Sequence, residues 1–493
     1  MRRVAILLLV ACGIALAQGD ADQPFYTVSL AHRDTHVVHV SLRLPKTNAP
    51  QHELILPVWN ALYQVRDFSQ YVLRISAHDD AGNPLPVTTV NPTTWRIASP
   101  GPIVFEYDIV ADEAGPFGAQ LNQEHAFFNL AEVLVYDPAL RSTPVLFGLA
   151  DVPAGWKVAT ALPEAGVFGG NRPIPTFPAK NYDQLVDSPV EVGTFAERDF
   201  EAVAHYRVVV HADPSDYDMN AIAAQAQKLA TTEVEWMDDR PFDHYVFLYH
   251  FPRVPSGGGM EHAYSTAIDA TAQRVRQDPQ AIASVTAHEF FHLWNVKRIR
   301  PQSLQPVDYT EAQPSRALWW SEGVTSTVAD LMMVRAGYWN EKQYLASLAR
   351  QIDTLESRPA RLTQSVEDSS LETWYDKYPF YGEPERSISY YNKGDILGVL
   401  LDLKVRDETG DKKSLRDIFH WLNDYAKQGK FFPDSPGIEQ ASEAVCQCAL
   451  QSFFKEYVSG VTPLPYDEFL KTVGLRVVKT STTVADPGFR IAR

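Results

Sequence analysis

Cysteine is scarce, with only Cys12, Cys446 and Cys448 in 493 residues. So few cysteines exclude a multi-disulfide framework. Cys12 lies in an apolar leader. Cys446 and Cys448 sit two apart on a stretch read as helix, roughly 437–458, where they do not easily bridge to each other. No further cysteine supports a zinc site there, so both are expected as small buried side chains. Long apolar runs are absent after residue 17, which excludes a later membrane-spanning helix. Positive charge is also in deficit. Lys and Arg number 44 against 61 Asp and Glu, a net charge of −17. An acidic surface of this kind does not attract nucleic acid or anionic lipid. There is no internal repeat and no low-complexity tract.

What is present has the texture of an ordinary globular protein large enough for two to four domains. Arg2 and Arg3 precede the apolar run Val4–Ala11, and Ala15-Leu16-Ala17 is a small-x-small site before Gln18. This reads as a secretory signal peptide over 1–17 and predicts a periplasmic or secreted protein. Anchoring as a lipoprotein through Cys12 is the less favoured alternative. Residues 24 to about 160 alternate apolar and polar, as in Val38, Val40, Leu42 and Leu44, with turns such as Asp80-Ala81-Gly82-Asn83-Pro84 between the runs. A β-sandwich fits this pattern. The proline and glycine of 163–178 read as a linker or surface crossing. From about 200 strands and helices mix: Tyr206–Ala212 and His244–His250 as strands, Asp216–Met237 as a helix. Beyond about 340 the chain is mostly helical, with helices near 341–356 and 392–407 and one opened by Ser414-Leu415-Arg416-Asp417 in capping-box style.

One stretch carries chemistry above all others. Residues 278–301 read DPQAIASVTAHEFFHLWNVKRIRP. Asp278 and Pro279 predict a helix start. Ile282, Val285, Glu289, His292 and Val296 then recur at three- and four-residue steps and share one face. His288 and His292, one turn apart, can grip one Zn²⁺, with Glu289 beside it as general base. A catalytic zinc takes a third protein ligand. Glu322, in Trp319-Trp320-Ser321-Glu322-Gly323, is the best candidate, at the start of a second helix. Gly257-Gly258-Gly259-Met260-Glu261-His262 suits a strand edge that pairs with an extended peptide, or a plain glycine-rich turn. In the first case Glu261 stands where a free α-ammonium would be held. Ser387-Ile388-Ser389-Tyr390-Tyr391-Asn392-Lys393-Gly394 offers a phenol for an oxyanion, and spacing alone prefers neither tyrosine.

HEFFHLWNVKRIRP, GGGMEHAYST, WWSEGVTS and SISYYNKG, in this order, resemble the glycyl aminopeptidase family of secreted bacterial zinc peptidases, of the gluzincin group. His125–Asn129 (HAFFN) and the segment YDQLVDSPVE from Tyr182 extend the likeness over about residues 24–475. The resemblance implies a multidomain α+β protein: an N-terminal β-sandwich at 24–190, a thermolysin-like catalytic domain at 191–340 and a helical domain at 341–475. It implies His288, His292 and Glu322 as ligands of one Zn²⁺ per chain, and Glu289 as base. Gly258, Gly259, Met260 and Glu261 would bind a peptide with a free N-terminus, although His262 replaces the Asn of the related Gly-x-Met-Glu-Asn aminopeptidases. Tyr391, two residues before Lys393-Gly394, matches the transition-state tyrosine. The implied activity is removal of small N-terminal residues, Gly or Ala. Rival expectations are a thermolysin-like endopeptidase and a catalytically silent peptide-binding relative. Two departures stand out. Trp59-Asn60-Ala61-Leu62-Tyr63 replaces the family's Trp-Thr-Pro-Gly-Ser-Tyr, and 476–493, an extended tail, lies where many members begin a PDZ domain.

Overall fold

The computed structural model describes residues 23–60, 62–168, 174–376 and 383–480. The leader 1–17, with Cys12, and most of the tail 476–493 lie outside the described residues.

The N-terminal part is a sandwich. Its larger sheet has seven strands in the order Gly166–Phe168, Ile174–Ala179, Val145–Ala150, Phe25–His32, Val37–Leu44, Ile103–Val110 and Val72–Asp79. Period-2 alternation puts Val38, Val40, Leu42 and Leu44 on the inner face, against Phe105 and Tyr107 of the next strand. This face packs on a three-stranded sheet (Leu54, Trp95 and Ile97) and on inward residues of a four-stranded one (Ala126, Phe128, Val190 and Val192). The stretch expected as a linker corrects the sequence reading: Gly166–Phe168 and Ile174–Ala179 pair into the larger sheet. Each proline there removes only its own donor, and the alternate residues keep the ladder.

The chain leaves the four-stranded sheet at Val190–Gly193 and enters a five-stranded one at Ala196–Glu201. The order continues through His205–His211, His244–His250 and Ser265–Ala270 to Gly257–Glu261 at the far edge. Both faces are buried. Val209, Val246, Leu248 and Ala267 meet Phe127 and Ala159 of the four-stranded sheet. The alternate residues Val208, Val210, Tyr245, Phe247 and Ile268 face helices Met219–Met237 and Ala283–Phe291. The first of these helices is capped by Asp218, whose side chain accepts from the Asn220 and Ala221 amides.

The helical C-terminal region includes Glu341–Glu356, Val366–Asp376, Tyr390–Thr409, Leu415–Lys427 and Asp434–Cys446. The Ser414–Asp417 capping box is present. Three expectations are corrected. The helix expected over 437–458 stops at Cys446, where Gln447 turns left-handed with φ of 55°. That reversal brings the Cα atoms of Cys446 and Cys448 to 5.2 Å, and the two form a disulfide instead of lying free on one helix. Asp278 also starts no helix. It ends the preceding one, Ala272–Gln277, its carboxylate accepts from the Gln280 amide in a turn, and the next helix begins at Ala283.

Candidate active site

The helix Ala283–Phe291 lies with His288 in its last turn and His292 just past its end. His292 points its Nδ1 at the Asn295 carbonyl, 2.6 Å away, which leaves Nε2 to face the site. Asn295 in turn donates through Nδ2 to the Trp320 carbonyl and the Thr325 hydroxyl, both at 3.0 Å. One buried amide therefore holds the first helix against the second. Trp319–Val324 is a π-helical turn that runs into Thr325–Arg335, an irregularity common at functional sites. It carries Glu322, whose Oε2 lies 3.2 Å from His288 Nε2 and 3.3 Å from His292 Nε2. Ser326 Oγ lies 3.2 Å from His288 Nδ1 and orients that ring.

Gly323 makes this approach possible. A Cβ on it would fall 2.5 Å from Gly394 Cα, and one on Gly394 would fall 2.4 Å from the Trp319 carbonyl. Helix Tyr390–Thr409, capped by Ser389, thus touches the Glu322 turn backbone to backbone. Tyr391, at its first turn, lines a cleft of about 420 Å³ together with His288, Val285, Ser326 and Gly258. Its ring centroid is 6.2 Å from that of His288. Tyr390 is wholly buried.

Gly257–Glu261 is a strand, not a turn, and its outer edge is unpaired with any other described strand. Gly259 is glycine for a reason internal to the site. A Cβ there would sit 2.4 Å from the Glu289 carboxylate. Glu261, Glu289 and His292 bring side-chain ligand atoms within 4.8 Å of one another. Met260 points into the core, 1% exposed. Beyond Glu261 the edge closes: His262 is buried, and Asp187 lies 3.2 Å from His262 Nδ1 and 2.9 Å from Lys297 Nζ.

The electrostatics are those of a site rich in carboxylate. Burial pushes the Glu289 carboxyl well above its usual range; His292 opposes the shift and Glu261 and Glu322 add to it. Burial also raises Glu261, against His292 and Lys297. Burial works against charge on His292, but Glu322, Glu261 and Glu289 outweigh it and hold the ring up at about 10. Burial would raise Glu322 too, and the two imidazoles overcome it, to about 2. Three buried carboxylates around two imidazoles, with one Glu289 oxygen lacking any hydrogen-bond partner, fit a dication. The donor set of two imidazoles and a carboxylate, converging on one point, is that of a catalytic zinc site.

Sequence reasoning missed Tyr63, Lys297 and Asp187. The Tyr63 phenol is buried and raised in pKa first by burial and then by Glu322 and Glu261, so it lies beside the site. Trp59 packs at 5.1 Å on Trp374 and belongs to the same core. The altered loop thus packs both of its aromatic ends, Trp59 and Tyr63, on Trp374.

Comparison with known proteins agrees with this geometry. Residues 25–194 match the peptidase M61 N-terminal domain, and residues 281–397 match the M61 glycyl aminopeptidase domain. No curated protein sequence matches the chain. Among solved structures, an aminopeptidase N family protein from Idiomarina loihiensis is 27% identical, with a TM-score of 0.85, over 91% of this chain and 78% of that one. An M1 zinc metallopeptidase from Deinococcus radiodurans shares the fold at 17% identity, with a TM-score of 0.56, over 92% of this chain and 97% of that one. A mutant of that enzyme was crystallised with a Tyr-Ser-Ala substrate. Fold and site define a metallopeptidase. The chain belongs to the M61 glycyl aminopeptidase family, and with it to the metallo-aminopeptidases.

Proposed function

We propose that the protein removes single, small N-terminal residues from peptides, with Zn²⁺ held by His288, His292 and Glu322. The observation that carries this reading is the convergence of Glu322 Oε2 on both imidazoles at 3.2 and 3.3 Å, beside an unpaired strand edge that ends at Glu261. A bound zinc would polarise the scissile carbonyl and acidify a water at that place.

The chain's own residues supply the rest. A peptide pairs antiparallel with Gly257–Glu261, so its N-terminus lies at the Glu261 end. Glu261 receives the α-ammonium, a charge-assisted contact in a desolvated pocket. Glu289, beside His288 and His292, takes a proton from the attacking water and returns it to the leaving amine. Tyr391 donates its phenolic hydrogen to the oxyanion. The preference for Gly or Ala rests on the family likeness. A location in the periplasm or outside the cell rests on the leader 1–17, and N-terminal sequencing of the mature protein tests it. No described helix is long and apolar enough to cross a membrane.

The deciding assay is a panel of free and N-acetylated aminoacyl amides and peptides, with and without chelator. Free-amine substrates are expected to turn over and blocked ones poorly. Glu261→Gln keeps the shape and removes the charge. It is expected to lower kcat/KM for free amines ~10- to 100-fold, from a charge-assisted bond of ~1.5–3 kcal/mol. If wild type cuts blocked peptides internally as well as free ones, and Glu261→Gln leaves their ratio unchanged, the endopeptidase reading replaces this one.

A further inference from the structure

A second cluster of metal-ligating side chains lies between the four- and five-stranded sheets. Three neighbouring strands of the five-stranded sheet place His211 opposite His250, and His250 opposite Asp269. The row sits where the parallel strands end, the usual place for ligands on such sheets. It faces the four-stranded sheet, by the same alternation that turns Val209, Leu248 and Ala267 that way. From the opposite sheet His125 and Glu191, diagonal neighbours on adjacent strands, project into the same space. Gly193, paired with His125, admits that approach, because a Cβ on it would fall 2.9 Å from the His125 Cβ.

The distances repeat those of the candidate zinc site. Glu191 Oε1 lies 3.1 Å from His125 Nδ1 and 3.6 Å from His211 Nδ1, and Glu191 Oε2 lies 3.0 Å from His250 Nε2. Ligands about 2.0–2.1 Å from a tetrahedral ion are about 3.3 Å from one another. The outer groups are in place as well. His250 Nδ1 lies 3.2 Å from Asp269, whose other oxygen accepts from Ser256 Oγ at 2.8 Å. His125 Nε2 lies 3.0 Å from Gln120 Oε1. A carboxylate behind a histidine fixes the ring's tautomer and aims its other nitrogen at a metal.

Hydrogen bonding alone does not account for the cluster. Glu191 is fully buried and faces three imidazoles with two oxygens. His211 Nδ1 is buried without a hydrogen-bond partner, in a ring stacked 3.9 Å from that of His125. Two buried carboxylates, Glu191 and Asp269, carry the charge that would balance one divalent ion. A cleft of about 1110 Å³, lined by His125, His211, His250 and Asp269, gives an ion a path from solvent. We propose that His125, Glu191 and His250, whose ligand atoms lie within 4.8 Å of one another, form a second metal site, for zinc or a similar divalent transition ion, that ties the β-sandwich to the catalytic sheet. Its ligands come from both sheets, so an ion there would act as a clamp between them.

The test counts metal. Full-length protein is equilibrated with excess Zn²⁺, passed through a desalting column, and analysed for zinc per chain. About two ions are expected in wild type and about one in His292→Ala, whose catalytic site is emptied. About one in wild type and none in His292→Ala overturns the proposal and leaves an ion-pair network. In His292→Ala, added Zn²⁺ is further expected to raise the thermal midpoint, by mass action on the folded state. The double variant His292→Ala with His125→Gln should lose both the ion and the shift. A double variant that folds and still holds one ion overturns the ligand set. Should it not fold, the two single counts still decide.

Discussion

At the residue scale the site separates residues that look alike in sequence. Tyr390 and Tyr391 are adjacent, yet only Tyr391 lines the cleft beside His288. Tyr391→Phe removes one hydroxyl and should cost ~100- to 1,000-fold in kcat with little change in KM, as for a lost oxyanion donor. Tyr390→Phe in the same assay should be much milder, and reversed effects would move the role to Tyr390. Glu289→Gln should keep its metal and fold while turnover drops at least ~100-fold. Near-normal turnover there would mean that another group activates the water. His288, Glu289 and His292 were legible because the His-Glu-x-x-His spacing sets two imidazoles one helical turn apart with a carboxylate beside the first. Lys297 and Asp187 were not. Their pairing joins positions 110 apart in the chain, and nothing local to either reports it.

At the scale of elements the contact between Gly323 and Gly394 carries the most weight. It accounts for Tyr391, and not Tyr390, lining the cleft. Gly394 docks the 390–409 helix on the Glu322 turn, and the residue one turn earlier then faces the site. Gly323→Ala forces the two backbones apart. Overpacking of this kind costs about 1–3 kcal/mol. The expected outcome is a lower unfolding midpoint together with weaker zinc retention, read by chelator competition. Destabilisation with unchanged zinc affinity would show that the contact does not position Glu322. The sequence misled at two element ends. Asp278-Pro279 carries a good start signal, yet Asp278 had already been taken as the end of Ala272–Gln277. At Cys446 the apolar spacing continues past a left-handed Gln447 that spacing does not register.

At the scale of the whole molecule the sandwich and the catalytic sheet meet through buried charge. Asp187, after the short helix Tyr182–Val186, holds Lys297 and His262. Burial alone would raise its carboxyl; Lys297 and His262 outweigh that and hold it below the usual carboxylate range. A depressed folded pKa stabilises above the unfolded value, about 3.9, and the gain is lost as pH falls through the folded value. Asp187→Asn is therefore expected to cost about 1–3 kcal/mol, by leaving Lys297 without its partner. The deficit against wild type should be constant above about pH 4 and shrink below it. A deficit that persists unchanged at low pH would assign the loss to packing. Three layers of this architecture were readable as strand and helix texture. The joint between them was not, because His125, Glu191, His211 and His250 come from four separate strands.

On the proposed binding mode, the closed end of the strand edge sets an order of departure. A peptide seated with its amine at Glu261 has only the Gly257 end open behind it, since His262 and the Asp187–Lys297 pair block the other. Once the bond is cut, the liberated amino acid sits behind the shortened peptide and has to wait for it. The shortened peptide leaves first and the amino acid last. Free amino acid should then inhibit competitively against substrate, and shortened peptide non-competitively. The reverse pattern would mean that a second exit opens near Glu261 during turnover.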